Sequence, residues 1–553
     1  MSRTARHLVL GLAALLVAAP AFAAATITIV NVDGPGEGFN DPTPAAPVGG
    51  NPGTTVGQQR LLAFQFAADL WGAVLDSDVE IRIQASFDPL ACTATSGTLG
   101  AAGSLTISAN FPGAEVANTW YHAALANKLS GADQSASNDL VAFFNSNLGQ
   151  PTCLPSRFWY YGFDTGHGTG INLVTVLLHE FGHGLGFANF VTEQTGASPL
   201  GLPDIYGTYS LDLSTGKHWN EMTVPELVAS AVNSRRVVWD GINVTNAVPT
   251  TLNAGTPALK VTSPAILAGN FPVGAAAFGP ALTAAGVAGT LELANDGVGA
   301  VNDGCEAIVN NVVGKVAVID RGTCGFTVKV KNAQNAGAIA VVIADNAAGS
   351  PPAGMAGTDA TIVIPSVRVT LPDGNAIKAQ LGGGVTASLL LDTAQLAGAD
   401  LGGRMLLNAP NPVAPGSSIS HWDPIASPNL LMEPAINSDL PIDLDLTYEQ
   451  MVDIGWFSDA DGVPDGLDEC IGSDTAGTVI FGSCDSGVED EVFANGCRLS
   501  DLIDRQCGSV PLNRFQNCVN QYAKTLRDAG ILTQQERNEL QHCANRYAQD
   551  ARH

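Results

Sequence analysis

Residues 79–87, VEIRIQASF, alternate apolar and polar side chains strictly, which is the period-2 pattern of a strand with one face buried. Upstream, residues 57–75 carry apolar side chains at helical spacing, and 27–33, ITIVNVD, alternate as a strand. A Pro- and Gly-rich loop separates these two. The pattern then predicts a strand in SLTISANF, a helix around WYHAALANKL, and a further helix through VLLHEFGHGL with Leu173, Val176, Leu177, Phe181 and Leu185 as its core positions.

The composition changes after about Pro257. Charges thin out, Ala, Gly and Val dominate, and residues 314–346 read as strand, helix, strand, with Lys329, Lys331 and Asn332 on the exposed helix face. Near Asp400 the composition reverts to that of the first 256 residues, and residues 446–456 are helical. An Asp/Gly-rich turn follows Ser458, and beyond Cys484 two helices joined at DAGILTQQE are expected, the second opened by a capping box of Thr533 and Glu536.

This divides the 553 residues into 24–256, 257–400, 401–458, 459–483 and 484–553, preceded by residues 1–23. The first 23 residues combine Arg3 and Arg6, an apolar run from Leu8 to Ala19, and the small-residue site Ala21–Phe22–Ala23. That is a secretory signal peptide with cleavage after Ala23, so the protein is expected to be secreted. No other apolar stretch approaches the length of a membrane span, so a membrane anchor is not expected. The formal charge of −27 makes nucleic acid and anionic membranes poor partners. Ten cysteines in an exported chain point to disulfides, and they group evenly as Cys92 with Cys153, Cys305 with Cys324, and six from Cys470 to Cys543. In the last group Cys518 and Cys543 are expected to staple the two helices. No pattern in the sequence assigns an oligomeric state.

The segment HEFGH sets His179 and His183 at i and i+4, on one helix face, where both imidazoles can ligate one ion. Glu180 is placed to take a proton from water at that ion. The bland alternative is a buried helix that happens to carry these letters. Gly184 and Gly186 are expected to end the helix so that the chain can turn beneath a metal. A catalytic zinc needs a third ligand, and SHWDPIASPNLLMEP supplies His421, with Met432 following in an apolar turn. His218, in GKHWNEM, competes for that role. Glu193 or Glu221 as third ligand would instead make a thermolysin-like site.

These residues resemble the metzincin metalloproteases, and within them the leishmanolysin-like family. The chain reads HEFGHGLGFAN, with Asn189 where most metzincins carry their third histidine. Leishmanolysin-like enzymes place that histidine far downstream, in an HW followed by a methionine turn, and His421, Trp422 and Met432 match this arrangement over roughly residues 26–250 and 400–458. The resemblance implies an α+β fold with a twisted mixed sheet and an active-site helix. It also implies zinc held by His179, His183 and His421, with Glu180 as general base in the hydrolysis of protein or peptide substrates. Met432 would floor the site without binding the metal.

The separation of His183 from His421 exceeds what that family needs. Residues 314–346, with IPSVRVT at 364–370, resemble the protease-associated (PA) domain, a β-rich module inserted in secreted peptidases. An insertion whose ends lie close together costs little closure entropy, so the two catalytic halves can still meet. The PA segment is expected to position substrate, shield the cleft or act as a spacer. In DADGVPDGLDEC, Asp459, Asp461, Asp465 and Asp468 offer oxygen ligands suited to calcium, similar to one thrombospondin type 3 repeat, and a solvated acidic linker is the alternative. The rival to the enzyme is a catalytically inert secreted binding protein that uses a metalloprotease-like fold and its PA domain for protein interaction.

Overall fold

The computed structural model describes residues 24–457, 463–470, 473, 476–508 and 510–550. The signal peptide, Asp459 and Asp461 therefore lie outside the described residues. Four strands, Ile27–Asn31 (β1), Ile81–Asp88 (β2), Gly100–Ser104 (β3) and Leu140–Asn145 (β4), form a sheet in the order β1-β2-β4-β3. The first three neighbours run parallel and β3 closes the sheet antiparallel to β4. The strict alternation of 79–87 is realised in β2, where Ile81, Ile83, Ala85 and Phe87 are buried and the intervening side chains only partly so.

Two helices, Val56–Gly72 (α1) and Leu173–Leu185 (α2), pack on this sheet. Their apolar stripes meet in an aromatic cluster: the Phe64 ring of α1 lies 4.9 Å from Phe144 of β4 and 5.9 Å from Phe181 of α2. Trp71 Nε1 donates to the Leu178 carbonyl at 3.2 Å and ties the helices together. Such ring pairs contribute about 0.5–1.5 kcal/mol each beyond their buried area, so α2 is held at a fixed height over the sheet.

A second sheet joins chain from both sides of the composition change. Its strands are Lys217–His218, Ser210–Asp212, Val237–Trp239 and Met405–Leu406, with Val238 opposite Leu406. The helix Asp445–Asp453 (α3) reinforces that junction, because the buried Asp453 carboxylate accepts from Trp239 Nε1 at 2.7 Å and from the Asn243 backbone at 2.9 Å.

Between these halves stands an eight-stranded sheet. It is entered and left by the antiparallel pair Ala254–Ser263 and Thr386–Leu396, in which Leu259 faces Leu389. At its base Ala397 N donates to the Asn253 carbonyl at 2.9 Å, and Asn253 N donates to that of Ser427 at 2.6 Å, so the ends of the insertion are in contact. The paired strands begin at Ala254 and end at Leu396, a few residues before each change of composition. Inside, Val316–Asp320, Phe326–Asn335 and Ala340–Ala344 are the expected strand, helix and strand, and the segment at 364–370 contains the strand Ser366–Val369.

One expectation in this region is corrected. Lys329 is not on an exposed face: it is fully buried, and its Nζ donates to the Asp303 carbonyl and lies 3.5 Å from Cys305 Sγ. Burial weakens the hold of the ammonium on its proton, and nearby carboxylates, Asp303 and Asp296 first, offset part of that. Helical spacing alone treats any lysine as solvent-facing.

The C-terminal part adds a hairpin, Thr478–Phe481 with Cys484–Glu489, and a helix, Leu499–Cys507, to the two expected helices Leu512–Asp528 and Gln534–Asp550. Thr533 and Glu536 form their capping box, each side chain accepting from the other residue's backbone N–H. The staple expected between Cys518 and Cys543 is replaced by two others, since Cys518 bonds Cys507 and Cys543 bonds Cys484, while Cys470 bonds Cys497. The missed helix and hairpin supply the true partners. Cys92–Cys153 and Cys305–Cys324 pair as grouped. No helix among the described residues is long and apolar enough to cross a membrane.

Candidate metal centre

The helix α2 opens on Asn172, whose side chain accepts from Val174 N, and runs to Leu185. Gly186 follows with φ of 152°, a conformation that side chains other than glycine resist, and turns the chain back. Gly184 does not end the helix as expected but lies within it, against Leu140 of β4. Gly182 serves a close approach: a Cβ there would sit 3.1 Å from Met432 Sδ, so the methionine turn rests directly under the helix.

His179 and His183 project from one face of α2, and His421 arrives from beyond the insertion. Their Nε2 atoms lie 3.1 Å (His179 to His183), 3.2 Å (His183 to His421) and 3.3 Å (His421 to His179) apart. Each ring is fixed through Nδ1 by a backbone carbonyl: Leu431 for His179 at 2.7 Å, Phe187 for His183 at 2.8 Å and Ser417 for His421 at 3.0 Å. A carbonyl only accepts, so Nδ1 carries the proton and, in a neutral ring, Nε2 presents a lone pair. Burial favours the neutral form, lowering His179 to about 3 and His183 to about 4, and pushing His421 well below its ordinary range.

Three lone pairs converging with no proton among them form a donor set for a cation. Tetrahedral zinc, with Zn–N of about 2.0–2.1 Å, separates its ligand nitrogens by about 3.3 Å, so this triangle fits that ion. His179, His183 and His421 are the residues that would hold it.

Other sequence candidates fall elsewhere. His218 Nε2 lies 2.8 Å from an Asp240 carboxylate oxygen, and that bond raises the affinity of the ring for its proton. Glu221 accepts from the His218 backbone, and Glu193 faces the Asn189 side chain at 3.3 Å. Asn189 itself donates to Ser420 Oγ, from its backbone N at 3.1 Å and from Nδ2 at 2.9 Å.

Glu180 is buried beside the triangle, one residue after His179. Burial pushes its carboxyl up to about 8, against a hydrogen bond from the backbone N–H of Ala102 on β3. A dication nearby acts in the opposite direction and favours the carboxylate. Gly100, also on β3, leaves room for the Glu180 stem, since a Cβ there would fall 3.2 Å from Glu180 Cγ.

Of the four expected calcium ligands, Asp465 and Asp468 are described. Both are buried, the Asp465 carboxylate accepting from Phe457 N at 3.3 Å and that of Asp468 from Cys470 N at 2.6 Å. A grouping with no counterpart among the sequence candidates lies in the insertion, where Asp296, Asp303 and Glu306 come together. Its charge faces Lys329, so it has a cation of its own. The spacing of these acids, with no regular element between them, carried no signal.

Residues 287–377 match the family model of the PA domain, so the insertion contains that domain. Among curated proteins the chain is similar to the minor extracellular protease Vpr of Bacillus subtilis, 34% identical over 96 residues, which is 17% of this chain and 11% of that protein. Among solved structures it is similar to an aminopeptidase from Aneurinibacillus sp. strain AM-1, with 22% identity, 28% of this chain, 44% of that one and a TM-score of 0.20. It is also similar to BSAP, a zinc aminopeptidase from Bacillus subtilis, with 24% identity, 27% of this chain, 36% of that one and a TM-score of 0.19. The chain thus spans about a tenth of the curated relative and less than half of either structure.

Proposed function

We propose that the protein is a secreted zinc metalloendopeptidase of the metzincin type, interrupted by its PA domain. The observation that carries this reading is the convergence of the His179, His183 and His421 Nε2 atoms within 3.3 Å of one another, with Glu180 beside them. When bound, zinc supplies Lewis acidity for a carbonyl and lowers the pKa of its water to about 7. Glu180, packed against β3 at Gly100, takes a proton from the attacking water at its carboxylate and returns it to the leaving amine nitrogen. The three Nδ1–H···O=C bonds keep the imidazoles oriented and in one tautomer. Among the described strands β3 lies at the edge of its sheet, beside Glu180, and an extended peptide adds to such an edge by backbone hydrogen bonds. A substrate paired along that edge would have chain on both sides of the site, which is the arrangement internal cleavage needs.

A glutamate general base has no use in a catalytically inert binding protein, which favours the enzyme over that rival. The five disulfides and the extracellular protease among the relatives support secretion after removal of residues 1–23. The PA domain positions protein substrate or shields the cleft, and Asp459, Asp461, Asp465 and Asp468 bind calcium in this reading.

The test is digestion of casein alongside a peptide blocked at its N-terminus, with and without a chelator. Internal, chelator-sensitive cleavage of the blocked peptide is expected. Release of residues only from free N-termini would replace the endopeptidase by an aminopeptidase.

A further inference from the structure

We propose that Asn189 is a positioning residue for the metal, holding the loop of His421 in register with the helix that carries His179 and His183. The proposal rests on the zinc reading above and concerns how the third ligand is kept in place.

The loop before His421 is strained. Ile419 has φ of +65°, in the left-handed region that a β-branched residue avoids, and the next residue, Ser420, donates its N–H back to the Ser418 carbonyl at 2.8 Å. Backbone of this kind persists only when its surroundings hold it. Two contacts do so. Tyr206 Oη donates to the Ile419 carbonyl at 2.9 Å, and Ser420 Oγ accepts both Asn189 bonds, at 3.1 and 2.9 Å. Asn189 is itself fixed, its Oδ1 accepting from Val191 N at 2.8 Å.

The short segment leaving α2 therefore acts on two ligands. The Phe187 carbonyl orients His183, and two residues later Asn189 grips the residue adjacent to His421. Asn189 and Ser420 are 231 positions apart, so this contact gives the helix a direct hold on a loop that the chain delivers only after an inserted domain. Groups that orient a ligand in this way typically set metal affinity by about 10–100-fold.

The experiment measures zinc affinity of the full-length protein by competition with a chromogenic chelator, and the visible absorption of the cobalt(II) form, for wild type, Asn189→Ala, Ser420→Ala, Ser420→Thr, the double alanine variant and His421→Ala. Ser420→Ala removes both bonds and is expected to weaken zinc about 10–100-fold, with a changed cobalt spectrum. Asn189→Ala should lose part of that and the double variant no more than Ser420→Ala, because the groups act as one contact. Ser420→Thr keeps the hydroxyl and should stay within about threefold of wild type. The melting temperature of each metal-free variant separates folding from ligation, and if Asn189→Ala fails to fold, Ser420→Ala and Ser420→Thr decide. Wild-type zinc affinity and spectrum in Ser420→Ala, or additive losses in the double variant, would overturn the proposal alone. Absence of zinc binding by wild type would overturn the metal reading and the proposal with it.

Discussion

His183 and His421 stand 238 positions apart in the chain and 3.2 Å apart at Nε2. Since His218 is engaged with Asp240 instead, the two histidines should respond oppositely to removal. His421→Ala is expected to weaken zinc by more than about 100-fold, beyond what outer groups control, and to abolish hydrolysis. His218→Ala should retain one zinc per chain. Zinc content after gel filtration checks both, and loss of metal from the His218 variant alone would reverse the assignment.

The insertion should be dispensable for the metal. Its ends meet at Asn253 and Ala397, so replacing residues 254–396 by a short Gly/Ser linker closes a gap that is already bridged by a hydrogen bond of 2.9 Å. The shortened protein should bind zinc within a few-fold of wild type, whereas its rate on folded protein substrates should differ. Failure of the shortened protein to bind zinc while remaining folded by circular dichroism would show that the PA domain helps to build the site.

How far this arrangement was legible in the sequence varies by element. The alternation of 79–87 and the i, i+4 histidines have local causes, a half-buried sheet face and a helix face, and they read directly. His421 was legible only through resemblance, because its partners are distant in the chain. Its placement depends on pairings such as Val238 with Leu406, which leave no local pattern. Lys329 was misread because its compensation comes from Asp303 and Asp296, on a loop about 30 residues upstream. The cysteine partners in the tail were misread for the same reason: a hairpin and a helix not apparent from periodicity precede the two expected helices and take up Cys543 and Cys518.

His122 should make stability pH-dependent. It is fully buried against the Phe190 ring at 4.5 Å, neither ring nitrogen has a hydrogen-bond partner among the described residues, and burial lowers it to about 3. Below the ordinary value of 6.5 the unfolded chain takes up a proton that the native protein refuses, so stability falls as pH drops from 6.5 towards 3. His122→Leu should remove this contribution, losing about 1 kcal/mol less than wild type between about pH 7 and pH 5.5 in urea denaturation. Parallel pH profiles for the two proteins would mean that His122 titrates normally in the native state.

Calcium should raise the melting temperature, because a bound ion stabilises only the state that assembles its ligands. Asp461→Ala combined with Asp465→Ala should remove most of that increase, as read by differential scanning fluorimetry with and without millimolar calcium. An unchanged increase in the double variant would locate the ion elsewhere.

If the His179, His183 and His421 triangle holds a catalytic zinc served by Glu180, removing the carboxylate should stop turnover and leave the metal in place. The most direct measurement is zinc per chain, by elemental analysis, together with casein hydrolysis for wild type and Glu180→Gln. The expected result is one zinc in both proteins, with turnover by the variant reduced at least about 100-fold. Active wild type without zinc, or full activity in Glu180→Gln, would contradict it.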